Sequence, residues 1–146
     1  GASNQSAINA LVSDSRRTIS FHITSNAGMS SSIHPLTPYG KESFAIENSH
    51  SIQLESSTLN DLYPKLGANY DFWVLDVQGH EYEVLSGSNL VVNKARWILV
   101  EGSKKSYYED MSLFPKVKGL LESLGFVQVY CPSGDHFEAF FINSNS

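Results

Sequence analysis

The sequence contains a single cysteine, Cys131, so no disulfide can form within the chain. Basic residues are also scarce: 10 lysines and arginines stand against 15 acidic residues, and the net charge is −5. A broad nucleic-acid footprint needs clustered positive charge, so nucleic acid is not an expected partner. No apolar run approaches the roughly 18 residues of a membrane-spanning helix, and no secretory leader pattern is present. We therefore expect a cytoplasmic protein without a membrane partner.

Motifs of several enzyme classes are missing as well. No Gly-x-Ser-x-Gly sequence occurs, which excludes the nucleophile turn of serine hydrolases. The five histidines lack the spacing typical of zinc sites. His80 and Glu83 are three residues apart on a predicted helix, and a surface pair is the favoured interpretation of that spacing. The sequence therefore predicts no metal ligands.

Two apolar runs dominate what is present. Residues 71–77 and 95–101 each contain four apolar residues in a row, 72–75 and 97–100, followed directly by an acid, and such a run is typical of strands covered on both faces. The segments 18–24 and 50–58 instead alternate apolar and polar residues, so we expect half-buried strands that can pair with each other. Between 25 and 43, a segment rich in Ser, Gly and Pro has no period and predicts a long loop.

Helical signals separate and follow the apolar strands. A capping-box pattern begins one helix at Thr58, and Gly87 closes a short second helix. The third is an amphipathic stripe over 112–124. Two strands, 126–131 and 136–142, flank a Pro-Ser-Gly-Asp turn and predict a hairpin. Strands that alternate with helices indicate an α/β domain with a mainly parallel sheet, to which the antiparallel C-terminal hairpin is added.

Both apolar strands end on an acid, Asp76 in the first and Glu101 in the second. The carboxyl ends of neighbouring parallel strands face one crevice, where the ligands of open α/β sheets bind. Asp76 and Glu101 are therefore candidate catalytic groups, because a carboxylate in that crevice can act as a base or hold a polar ligand. Spacing alone equally allows Asp76 to cap the following helix.

The same region resembles the FkbM-type methyltransferase family, which uses S-adenosylmethionine (SAM). The resemblance rests on a Thr-Leu-x-Asp helix start at 58–61, an apolar strand that runs into Asp-Val-Gln-Gly at 76–79, and a Glu-x-x-x-Leu-x-Gly helix at 81–87. A strand ending on glutamate and a Gly-Phe pair after the last long helix continue the pattern. The likeness covers most of residues 7–130, and Gln78 departs from it because an acid is commoner there.

This resemblance implies a Rossmann-like class I methyltransferase fold with the strand order 3-2-1-4-5-7-6. It also implies a SAM-dependent O-methyltransferase that acts on a hydroxyl group of a small molecule or sugar. For Ser31, the competing interpretation is a solvated surface loop. For Tyr107 and Tyr108, the competing interpretation is buried aromatic packing. The predicted site residues are Asp76 and Glu101 as catalytic groups, Ser13, Asp14, Asp76 and Gln78 for the cofactor, and Glu81, Ser31 and Tyr107 for the substrate.

One element that the resemblance implies is missing. Methyltransferases of this fold hold the cofactor at a glycine-rich turn after the first strand, where free backbone amides meet the ligand. None of the ten glycines forms such a motif. The sequence therefore resembles the C-terminal part of the domain, and we expect residues 1–146 to be a single partial domain whose N-terminal strands are missing. We also expect SAM to bind weakly or not at all to this chain alone.

The missing strands predict an unpaired edge at 71–77, and an exposed apolar edge is a template for another chain. A homodimer is therefore expected, unless residues 7–24 fold back into the vacant position. Two other functions stay open. One is an inert methyltransferase-like fragment or binding module that self-associates, which SAM titration distinguishes from an enzyme. The other is a hydrolase with Asp76 and Glu101 as paired acids, for which no further motif is present.

Overall fold

The computed structural model describes residues 7–67 and 69–145, so the predicted domain 1–146 is described apart from residues 1–6, 68 and 146. It is a mixed α/β structure with two small sheets. The strands are β1 (Leu11–Val12), β2 (Thr18–Thr24), β3 (Asn48–Ser57), β4 (Phe72–Leu75), β5 (Trp97–Ser103), β6 (Phe126–Tyr130) and β7 (His136–Asn143). The helices are α1 (Pro38–Phe44), α2 (Leu59–Leu62), α3 (Glu81–Ser86) and α4 (Phe114–Ser123). Within the described ranges, none of these helices has the length and apolar character that a membrane crossing requires.

The larger sheet has the strand order β4-β5-β7-β6. β4 and β5 are parallel, in register from Phe72 opposite Trp97 to Leu75 opposite Val100. The predicted parallel pairing of the two apolar strands is therefore confirmed, as is the antiparallel hairpin of β6 and β7. The sheet is not mainly parallel, because β7 lies between β5 and β6 and runs antiparallel to both.

The smaller sheet has the order β1-β3-β2. β2 and β3 pair antiparallel over the whole of β2, as their alternating pattern predicts. β1 contributes only Leu11 and Val12, which pair in parallel with β3. The N-terminal strands therefore pair with β3 and not with β4. Among the described residues, β4 keeps one edge without a partner strand.

A short helix interrupts the segment that the sequence assigns to a loop. α1 begins at Pro38 because the hydroxyl of Thr37 accepts a hydrogen bond from the N–H of Gly40 at 3.0 Å, and proline suits a first helical position. A Cβ atom at Gly40 would lie 2.1 Å from the carbonyl oxygen of Tyr107, so only glycine allows this close approach. The contact places α1 against the loop that carries Tyr107 and Tyr108.

α3 and α4 cover one face of the larger sheet. Burying a large side chain such as Leu85 or Phe141 contributes about 1.5–3 kcal/mol. Pro115 in the first turn of α4, and Gly125 with φ +90° just after its end, fix the bounds of that helix. The buried apolar residues of this core include Trp73, Leu75, Val84, Leu85, Ile98, Val100, Val117, Leu121, Phe126, Ala139 and Phe141.

The opposite face of the larger sheet is apolar and exposed to solvent. Phe72, Val74 and Val127 are 51%, 60% and 54% exposed. A contiguous apolar patch of this kind marks an interaction site more often than a free surface. We call it the open face, and by strand register and alternation it consists of Phe72, Val74, Trp97, Leu99, Val127, Phe140 and Ile142.

Candidate active site

The chain turns sharply where β4 ends. Gln78 and Gly79 have φ values of +55° and +90°, and this left-handed geometry costs a non-glycine residue about 1–2 kcal/mol. Glu81 stabilises the turn, because its Oε1 accepts hydrogen bonds from the N–H groups of Val77 at 3.1 Å and Gly79 at 3.2 Å. The hydroxyl of Ser32 also donates to the carbonyl of Gln78 at 2.7 Å. The turn thereby holds the Gln78 side chain at the end of the sheet.

Two carboxyl groups meet at this end. Asp76 follows β4 directly, and Glu101 lies one residue beyond the last pair of the β4–β5 ladder. The Gln78 Nε2 donates to Asp76 Oδ1 at 2.5 Å and lies 3.4 Å from Glu101 Oε2. The structure therefore brings together the two acids that the strand ends predict, with Gln78 between them.

Glu101 is the more buried acid of the pair, with a side chain that is 17% exposed. Burial, together with the nearby charges of Asp76 and Glu81, raises the pKa of Glu101 from 4.5 to about 8. A carboxyl group with this pKa gains and loses a proton near neutral pH, which suits general acid–base chemistry. The site can therefore hold or release one proton under physiological conditions.

Tyr108 fixes the orientation of Gln78. Its single hydroxyl hydrogen faces two acceptors, Gln78 Oε1 at 2.7 Å and the carbonyl oxygen of Ser30 at 3.1 Å, and the shorter hydrogen bond is the one to Gln78. Burial and the charge of Glu101 raise the pKa of Tyr108, so this hydroxyl stays protonated at neutral pH. Because Gln78 Oε1 accepts from Tyr108, the amide NH₂ of Gln78 faces the two carboxyl groups. Tyr108 thus positions the amide that bridges the pair.

A cavity of about 320 Å³ lies beside Asp76 and Gln78. Its volume is at the small end of the range for ligand pockets, which is roughly 300–1,000 Å³. At the wall of the cavity, the hydroxyl of Ser31 accepts a hydrogen bond from the N–H of Thr24 at 3.2 Å. The lining combines Ser31, Asp76, Gln78 and His80 with the apolar side chains of Ala10, Leu11, Val12, Phe21, Met29, Ile33 and Val77.

The sequence assigns two N-terminal residues, Ser13 and Asp14, to the cofactor, and both lie outside the lining of this cavity. The hydroxyl of Ser13 is fully buried and donates to Asp14 Oδ1 at 2.9 Å. It also lies 3.0 Å from His80 Nε2, so Ser13 reaches the cavity only through His80. Asp14 is half-exposed and forms an ion pair with Arg17. Neither Ser13 nor Asp14 lines the cavity that Asp76 and Gln78 share.

The three residues that the sequence assigns to the substrate lie in different parts of the structure. Ser31 lines the larger cavity, whereas Glu81 is 3% exposed and holds the turn after β4. Tyr107 is buried, stacks on Phe44 at a centroid distance of 4.9 Å, and lines a second, much smaller cavity. Of these three side chains, Ser31 alone borders the larger cavity, which Asp76 lines. Glu81 and Tyr107 line the smaller cavity together with Glu101.

Sequence analysis missed one residue of the site, His136. Its Nε2 lies 2.8 Å from Glu101 Oε1. His136 reaches Glu101 because β7 runs antiparallel beside β5, with Ser103 opposite His136. The alternating pattern of 136–142 marks a strand but does not say which strand it joins, so no local signal pointed to this contact.

Replacing Glu101 by glutamine is expected to stabilise the fold at alkaline pH. The folded-state pKa of about 8 lies above the 4.5 of an ordinary glutamate, so the stability that protonated Glu101 contributes is complete below pH 4.5 and is lost as pH rises through 8. Glutamine is neutral at every pH. We expect E101Q to raise the free energy of unfolding at pH 8.5 by about 2–4 kcal/mol.

Urea denaturation of the wild type and E101Q between pH 5 and 9 measures this difference. The exposed Glu122 of α4 supplies the control, because E122Q removes a carboxylate of the same type outside the site. The difference between E101Q and the wild type should grow with pH, and that of E122Q should stay flat. Parallel pH profiles for E101Q and the wild type would contradict the raised pKa.

A family model described as the methyltransferase FkbM domain matches residues 2–127 of the chain. The matched range contains the turn after β4, the carboxyl pair and α4, and it ends within β6. No curated protein and no solved structure matches the chain significantly.

Proposed function

Because the chain belongs to the FkbM methyltransferase family, we propose that it takes part in SAM-dependent methyl transfer to a hydroxyl group of a small molecule or sugar. The observation that carries this proposal is the carboxyl pair of Asp76 and Glu101, set at one end of adjacent parallel strands beside a cavity. Ligands of open α/β sheets bind at that end of the strands. The pair offers a base to an acceptor hydroxyl.

The order of the larger sheet supports a finer proposal about the fold. The order β4-β5-β7-β6 corresponds to the 4-5-7-6 part of the Rossmann-like methyltransferase sheet. The strand directions also agree with that sheet, because β4 and β5 are parallel and β7 runs antiparallel to β5. We therefore take β4 to β7 as the C-terminal half of such a sheet, with the carboxyl pair at its ligand-binding end.

The side chains of the site have different roles in proton transfer. An acceptor hydroxyl that enters the crevice meets Asp76 first, because Asp76 is exposed and Glu101 is largely buried. The pair can take the proton that an acceptor hydroxyl would lose as its oxygen gains the methyl group and the S–CH₃ bond of the donor breaks. Glu101, with its pKa of about 8, holds a proton near neutral pH, and the Gln78 amide lies between it and Asp76. Gln78, oriented by Tyr108, keeps the two groups in place.

The cavity fits one part of the cofactor. SAM, when bound, supplies a methyl group on a positively charged sulfur. Asp76 provides negative charge and Gln78 hydrogen bonds at one side of the cavity, while Val12, Phe21 and Ile33 provide an apolar wall. This lining suits a ligand with a cationic centre on a partly apolar body. Within residues 7–67 and 69–145, no glycine-rich turn adds a run of free backbone amides to it.

We expect this chain to bind SAM with millimolar affinity or weaker. Each hydrogen bond that a glycine-rich turn would donate is worth about 1 kcal/mol or more, and the loss of several such bonds weakens a micromolar ligand roughly a thousandfold. Calorimetric titration of the purified chain with SAM measures the affinity. The demethylated product S-adenosylhomocysteine, which lacks the positive charge beside Asp76, is the matched control and should bind more weakly. Micromolar binding of SAM would contradict the expectation.

A second candidate is a catalytically inert module that self-associates. The open face favours it, because this apolar surface suits contact with another chain rather than chemistry. Transfer of a labelled methyl group from SAM at millimolar concentration to a panel of hydroxyl compounds separates the two candidates. Transfer that depends on Asp76 supports the enzyme, and an absence of transfer to every acceptor supports the inert module.

A further inference from the structure

Three metal-ligating side chains meet beside the N-terminus of α3, and one of them, His80, also lines the cavity next to Asp76. They are His34, in the segment between β2 and α1, His80, at the N-cap of α3, and Glu83, in the first turn of α3. One ligand atom of each residue lies within 4.8 Å of the ligand atoms of the other two. His80 is 3% exposed, and the Glu83 side chain is 21% exposed. The cluster is therefore set into the protein rather than spread over its surface.

Hydrogen bonds determine which nitrogen of His80 carries the proton. The single hydroxyl hydrogen of Ser13 is donated to Asp14 Oδ1 at 2.9 Å. Ser13 must therefore accept at its 3.0 Å contact with His80 Nε2, so Nε2 holds the proton of the neutral ring. The other nitrogen, Nδ1, is left with a lone pair that points at His34 Nε2, 3.3 Å away, and at Glu83.

The carboxylate of Glu83 is the third member of the cluster. Its Oε2 is buried and has no hydrogen-bond partner among the described residues, although it lies 3.3 Å from His80 Nδ1. Two acceptor atoms at this distance repel each other unless a cation lies between them. The other oxygen, Oε1, lies 3.3 Å from the hydroxyl of Ser112, which holds the carboxylate in its orientation.

We propose that His34 Nε2, His80 Nδ1 and Glu83 Oε2 bind a divalent transition-metal ion of the zinc type. Two imidazoles and one carboxylate are a ligand set that zinc accepts, with a fourth position open to water or another ligand. Ligand atoms about 2.0–2.1 Å from a tetrahedral ion lie roughly 3.3 Å apart, which matches both 3.3 Å separations around His80 Nδ1. The spacing of His80 and Glu83 by itself favours a surface pair, and His34 becomes their neighbour only through the fold.

Ser13 has a defined role in this site. A histidine that binds a metal commonly donates its second ring N–H to a neighbouring acceptor, and this bond fixes the ring orientation. The Ser13 hydroxyl is that acceptor for His80, and Asp14 supports it in turn. Ser13 is thus a positioning residue for the ion. The ion itself would tie the segment before α1 to the start of α3, and so join the smaller sheet to the larger one.

Zinc titration of the full chain, after removal of metal with a chelator, tests this site. We expect one ion per chain with a dissociation constant of about 1 μM or below, together with a rise in Tm on zinc addition. Replacing zinc by Co²⁺ should give the visible absorption of a tetrahedral cobalt site. Methyl transfer is not measured, so the outcome does not depend on the proposed function.

Variants assign the ligands. H34A and E83Q should each weaken zinc binding more than about 100-fold. S13A should weaken it about 10-fold, because loss of a residue that hydrogen-bonds to a metal ligand typically costs 10- to 100-fold. The controls are H50A, an exposed histidine elsewhere, and C131S, which removes the single thiol. Circular dichroism confirms that each variant is folded; because H34A truncates only a half-buried side chain, it tests the site even if E83Q does not fold. No zinc binding by the wild type, or equal loss in H50A or C131S, would overturn the proposal.

Discussion

We expect the purified chain to sediment as a dimer at micromolar concentration, with the open faces of two copies in contact. β4 lacks a partner on one edge, and Phe72 and Val74 beside that edge are exposed. A two-fold dimer through the open face would have to bury about 1,000 Å², near the lower limit of specific interfaces. A second copy carries the same apolar surface and therefore matches it in a closed two-fold arrangement.

Replacing Val74 by aspartate is expected to abolish this dimer. Val74 is 60% exposed at the edge of the open face, so aspartate there is tolerated in a monomer but would place an unpaired charge in the dimer interface. We expect the dissociation constant to rise at least about 100-fold, a change of roughly 3 kcal/mol. L90D is the matched control, because Leu90 is 77% exposed and lies outside the open face.

Sedimentation velocity over a concentration series separates the outcomes. A dimer for the wild type and L90D, with a monomer for V74D, supports contact through the open face. A wild-type monomer would contradict self-association, and a monomer for L90D alone would place the interface elsewhere. Circular dichroism of V74D shows whether the fold survives the substitution.

The strands of the larger sheet could be predicted from local sequence patterns, whereas the order in which they pair could not. Two apolar runs identify β4 and β5, and the Pro-Ser-Gly-Asp turn identifies the hairpin of β6 and β7. Period and composition do not encode that β7 lies between β5 and β6. That order was available only from the family resemblance. α1 was missed because seven residues are too few for a helical period to show within a Ser- and Gly-rich segment.

The candidate site shows the same division. Asp76 and Glu101 could be placed together because both follow apolar strands and parallel strands end at one edge. Tyr108 is 30 residues from Gln78, and His34 is 46 residues from His80, so each contact depends on the tertiary fold. Glu81 was assigned to a substrate from the motif alone, yet its carboxylate binds two backbone amides of the turn. A sequence motif gives the residue type but not the group that its side chain contacts.

Replacing Asp76 by asparagine is expected to lower methyl transfer about 100-fold or more. Asparagine keeps the size of the side chain and can still accept from Gln78 Nε2, but it cannot take a proton from an acceptor hydroxyl. The measurement is transfer of labelled methyl groups to a hydroxyl acceptor at millimolar SAM. D71N is the control, because Asp71 is an exposed aspartate at the opposite end of the same strand. Unchanged turnover in D76N would remove Asp76 from the role of base.

The pH dependence of D76N distinguishes a base from a group that only tunes its neighbour. The charge of Asp76 is one of the causes that raise the pKa of Glu101 to about 8, so its removal lowers that pKa. If Glu101 is the base, D76N transfers methyl groups with a midpoint shifted to lower pH and a smaller loss of rate. If Asp76 is the base, the loss persists at every pH between 6 and 10. The second outcome is expected, because Asp76 is the carboxyl group that an acceptor entering the crevice reaches first.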